Sequence, residues 1–113
     1  MTPGEIMAGL QDKNRKLTAK NDEYIDLAET AAQKERDYQM SLSQQIVKLR
    51  ANDTPVTILK DIAKGGGVAQ LKYEWDMASA VAKACLNSIK ILTSQIDTYR
   101  SLLSWLKAEM QSQ

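Results

Sequence analysis

Few side chains in this sequence could do chemistry. Histidine is absent, and Cys85 is the single cysteine in 113 residues. Without imidazole, the commonest general base and the commonest metal ligand are missing, and no Ser-His or Cys-His nucleophile can be assembled. Cys85 stands in an apolar row between Ala82 and Ile89. It reads as a buried structural thiol and not as a nucleophile. Asp22, Glu23, Asp26 and Glu29 place carboxylates at helical spacing, which could in principle hold a metal. Helical metal sites pair Glu-x-x-His motifs or inward carboxylates from facing helices, whereas these acids are bracketed by Lys20 and Lys34. They read as a solvated face. Gly65-Gly66-Gly67 could cradle a phosphate with backbone amides, but it lacks the GxxxxGK[ST] frame and no strand precedes it. It reads as a turn. No catalytic residue, metal site or cofactor is expected, and the chain is read as not an enzyme.

Charge narrows the partners further. Fifteen Lys and Arg against 14 Asp and Glu leave a formal net charge of +1. A chain that grips phosphates along its length normally carries a clear basic excess, so any nucleic-acid contact must come from local patches. One patch gathers Lys48, Arg50, Lys60, Lys64 and Lys72, offset by Asp53, Asp61, Glu74 and Asp76. It is the candidate interaction tip, spanning residues 52–67 and the adjoining turns. Its segment Pro55–Gly65 has the cadence of the first helix of a helix-turn-helix, but no short recognition helix follows. A second patch holds Lys13, Arg15, Lys16 and Lys20 with Arg100 and Lys107. For both, a solvated charged face is the simpler account. No apolar run reaches the roughly 18–20 residues of a membrane span, and the N-terminal stretch has no hydrophobic signal core. No membrane association is expected, and the expected location is the cytoplasm.

The elements that carry these residues are helical throughout. Thr2-Pro3-Gly4-Glu5 is a helix start, with Thr2 as N-cap and Glu5 placed to close a capping box. A long helix of about 3–51 follows, weakened only by Gly9 and stopped by Asn52-Asp53-Thr54-Pro55. Thr54 as N-cap with Pro55 after it restarts a short helix of about 55–64, ended by the three glycines. A second long helix covers about 67–111. The chain is expected to be a single all-α domain, 1–113: a long antiparallel, coiled-coil-like helical hairpin with a short helix and a Gly-rich turn at the bend.

The seams are unequal. The first helix offers Met7, Asn14, Asn21, Ala28, Glu35, Leu42 and Leu49 in one row and Leu10, Leu17, Tyr24, Ala31, Tyr38 and Gln45 in the other. Asn14, Asn21 and Glu35 either fix the alignment or lie at a wet margin. Ile6, Ile25, Leu27 and Ile46 flank these rows and widen the apolar stripe. The last helix offers Val68, Trp75, Ala82, Ile89, Ile96, Leu103 and Met110 beside Leu71, Ala78, Cys85, Leu92, Tyr99 and Leu106, with no charge in either row. A compact bend sets Leu49 by Val68, Leu42 by Trp75, Glu35 by Ala82, Ala28 with Ala31 against Cys85 to Ile89, Asn21 by Ile96, Leu17 by Arg100 and Leu10 by Lys107, the last two each one step from Tyr99 and Leu106. Ile58, Leu59 and Ile62 are expected to pack down at the bend. A further uncharged row on the last helix, Met77, Val81, Ala84, Ile91, Leu102 and Trp105, exceeds what one partner helix can cover. It is the candidate oligomer edge, and a homo-oligomer forming a helical bundle is expected.

The segments LTAKNDEY, IVKLRAND, TPVTILKDIAKG, LKYEWDMASAVAKACLNSIKIL and SLLSWLK, between Leu17 and Lys107, resemble small helical proteins of temperate phages and prophages of Gram-positive bacteria. The most distinctive element is TPVTILKDIAKG; the rest is heptad pattern. The resemblance implies a phage gene of the early, recombination-related region and a bacterial host cytoplasm. It brings no catalytic or binding residues to map. The expected function is that of a non-enzymatic phage protein acting by protein–protein interaction, as an inhibitor of a host defence system. The alternative is a nucleic-acid-binding accessory of phage recombination or replication.

Overall fold

The computed structural model describes residues 1–112. It contains three α-helices among them: α1 (Pro3–Ala51), α2 (Val56–Ala63) and α3 (Gly67–Gln111). The two long helices pack against each other as a helical hairpin. Contacts divide the chain into two compact units, Met1–Ile25 with Lys83–Gln113, and Asp26–Ala82.

Local signals set the helix ends. The Thr2 hydroxyl accepts a hydrogen bond from the Glu5 amide at 3.1 Å, satisfying one orphan donor of α1. At the other end the Thr54 amide reaches the Leu49 carbonyl at 3.0 Å and the Asp53 amide the Arg50 carbonyl at 3.1 Å. Asp53 takes a left-handed φ of 59° to close this Schellman-type stop. Thr54 is not the cap of α2. Pro55 occupies that position at φ −57° and ψ 135° with no side-chain cap, because proline has no side-chain acceptor to offer the first amides. Lys64, Gly65 and Gly66, the last at φ 59°, then carry the chain from α2 to α3.

The first unit is organised around Ile6, Cys85 and Ile96, all buried. The Tyr99 ring lies directly on the α1 backbone at Gly9, where a Cβ would come within 2.7 Å of it. The Cys85 thiol donates to the Lys20 carbonyl at 3.5 Å, so it is a buried structural residue. In the second unit Tyr38, Leu59, Ala63, Val68 and Ala82 are buried. Here the Tyr38 and Trp75 rings pack with centroids 5.5 Å apart, tilted by 32°.

These contacts correct the expected register. Trp75 meets Tyr38, one turn from Leu42, while Cys85 and Tyr99 meet Lys20 and Gly9, two turns or more from their expected partners. The bend is not a tight turn. α2 buries Leu59 and Ala63 and is about 12 Å long at 1.5 Å per residue. The seam of α1 is also rotated. Ile6, Lys13, Lys20, Leu27 and Lys34 are buried or half-buried, whereas Met7, Asn14, Asn21 and Glu35 are exposed, as is Ile25. Lysine tolerates such positions because its aliphatic stem covers apolar surface while the ammonium stays wet. The three polar residues therefore lie outside the seam, at its wet margin. On α2, Ile58 and Ile62 do not pack down; both are exposed beside Val56.

Candidate interaction surfaces

The α3 edge follows from helical periodicity. Met77, Val81, Ala84, Ile91, Leu102 and Trp105 belong to a row of three- and four-residue spacing, which keeps them on one face of a helix. The seam rows of α3 from Val68 to Leu106 are buried or half-buried against the rest of the fold; Met110 alone is exposed. All six edge residues lie outside that seam and are exposed, Ile91 at 59% and Trp105 at 62%. Ser88, Gln95 and Thr98 complete the row, so no charge interrupts it.

Two shallow grooves adjoin this edge within the first unit. One is lined by Ala19, Ile91 and Leu92 with Lys16, Lys20, Glu23 and Ser88 at its rim. The other is lined by Gln95, Thr98, Tyr99 and Leu102 against Met1 and Lys13. The rim charges of the first groove are paired locally. Lys20 bonds Glu23 at 3.0 Å, and this hydrogen bond raises the pKa of Lys20 above its ordinary value. Asp12 pairs with Lys16 at 3.1 Å and Arg15 at 3.3 Å. The Lys16 bond comes first among the causes that hold the Asp12 carboxyl below its ordinary pKa. The basic patch at this end therefore spends Arg15, Lys16 and Lys20 on local acids.

Of the five tip cations, four are exposed and one is engaged by neighbouring side chains. Lys48 and Arg50 lie in the last turn of α1, and Lys60 in the last turn of α2 with Lys64 just beyond; all four are exposed. Lys72 is half-buried. Its ammonium sits 4.1 Å above the Trp75 ring, 5.8 Å from Tyr38 and 2.9 Å from the Asp76 carboxylate. Such a cation over aromatic faces is held in place by its own neighbours. The sequence signals for this cluster were the Lys72–Asp76 spacing of one turn and the adjacent Trp75; the partner ring, Tyr38, depends on the register. The exposed apolar residues of α2, Val56, Ile58 and Ile62, were not expected.

Among the described residues no group of His, Cys, Asp and Glu could hold a metal ion, and no helix is long and apolar enough to cross a membrane. No protein-family model, curated protein or solved structure matches the chain.

Proposed function

We propose that this chain works by protein–protein contact and not by catalysis, with the α3 edge as its working surface. The observation that carries the reading is the exposed, uncharged row from Met77 to Trp105. A long uncharged row, its large members apolar, left open on a helix marks an interaction site. The resemblance to phage proteins extends the proposal: the partner is a component of a bacterial host machine, and the chain inhibits a host defence system. The test is affinity capture from a bacterial host with wild-type protein and Ile91→Glu as paired baits. A species held by the wild type and lost with Ile91→Glu supports the reading; identical profiles refute it.

The second reading, a nucleic-acid-binding accessory, draws on the exposed Lys48, Arg50, Lys60 and Lys64. It requires salt-dependent binding to DNA that is lost in a Lys60→Glu, Lys64→Glu double variant whose helicity is unchanged.

A further inference from the structure

The α3 edge has an internal symmetry that selects its occupant. Counted outward from Ile91, its members recur at 3, 7, 10 and 14 residues toward the start of the helix and at 4, 7, 11 and 14 toward its end, the same within one residue. An antiparallel second copy centred there would set Ile91 on Ile91, Ala84 by Thr98, Met77 by Trp105 and Val81 by Leu102. Ser88 would fall by Gln95, so the two most polar positions meet each other and the large apolar ones meet large apolar ones. Thioether and indole make a favourable sulfur–aromatic pair, and Ser with Gln can exchange a hydrogen bond. A parallel copy in register would instead stack Trp105 on Trp105 and Gln95 on Gln95.

The surroundings of the row fit the same occupant. The next row of α3 is Ala80, Asn87, Ser94 and Ser101, exposed, small and uncharged. Small flanks on this side let two helices approach closely, and on the other side the charges nearest Ile91, Lys16 and Lys20, are already paired with Asp12 and Glu23. From Met77 to Trp105 the edge runs about 42 Å, and a helix face is about 10–12 Å wide. Two copies would cover on the order of 1,000 Å², the lower bound for a specific interface. Such a contact is isologous and closes on itself.

We infer that a second copy of this chain covers the α3 edge, antiparallel and two-fold about Ile91. The inference rests on the α3 edge being the working surface and names the partner that first occupies it. The test begins with the full chain at tens of micromolar in sedimentation equilibrium, which should give twice the monomer mass. Ile91→Glu meets itself at the axis, and should weaken the dimer by at least about a hundredfold while helical circular dichroism is kept. Single cysteines placed in a Cys85→Ala background then read the geometry. Ile91→Cys should cross-link to itself, and Met77→Cys should cross-link to Trp105→Cys in a mixture of the two chains. Met77→Cys alone should stay uncross-linked, its two copies lying about 42 Å apart. A monomeric wild type, or efficient self-cross-linking of Met77→Cys, overturns the inference. A monomer that still loses a captured host species on Ile91→Glu would refute the dimer and leave the wider reading standing.

Discussion

Gly9→Ala separates tertiary packing from helix propensity at one position. In an isolated helix the change stabilises by about 0.5–1 kcal/mol, because alanine loses less backbone entropy. Here the new Cβ would lie 2.7 Å from two ring carbons of Tyr99 and 2.8 Å from its hydroxyl. That is about 0.7 Å inside ordinary contact, and overpacking of this kind costs about 1–3 kcal/mol. The ring is the end of a half-buried side chain, so it can yield, which holds the cost toward the lower half of that range. The net expectation is destabilisation by about 1 kcal/mol. Removing the ring should reverse the sign: in a Tyr99→Ala background, Gly9→Ala should stabilise by about 0.5–1 kcal/mol. The assay is urea denaturation followed by circular dichroism across the four-protein cycle, at one fixed protein concentration. The coupling expected between the two sites is about 1.5–2 kcal/mol. Equal stabilisation by Gly9→Ala in both backgrounds would refute the close approach of Tyr99 to α1.

Three further outcomes follow from local geometry. Asp53→Gly should stabilise by up to about 1 kcal/mol in the same denaturation assay, since glycine adopts the left-handed stop of α1 without the Cβ penalty. Trp75→Ala should cost about 2–4 kcal/mol by removing a half-buried ring that packs on Tyr38 and carries the Lys72 ammonium. Asp12 should titrate, by NMR of its carboxyl carbon, below its ordinary value, and Lys16→Ala should return it upward. Because the folded-state pKa is depressed, its contribution to stability is present above the unfolded pKa and is lost as pH falls through the folded one.

Much of the architecture was legible in the residues themselves. Thr2 and Pro3 start α1, Pro55 and the three glycines bound α2, and the absence of Pro or Gly after Gly67 lets α3 run on; these are local backbone effects that need no partner. The seam of α3 was equally plain, because its charge-free rows leave only one way to turn the helix. The edge from Met77 to Trp105 was legible for the same reason, being what remains once that seam is assigned.

Tertiary structure alone decided how α1 meets α3. Heptad spacing states which residues share a face, but not how far one helix slides along another. The α1 rows mix Asn, Glu and Lys with apolar residues, so two neighbouring rotations satisfy the pattern almost equally. Packing chose the one that buries Ile6 and lays the stems of Lys13, Lys20 and Lys34 along the seam, leaving Asn14, Asn21 and Glu35 in water. Gly9 belongs to the same class: in the sequence it weakens a helix, and only the arrival of Tyr99 from far along the chain gives the missing Cβ a use.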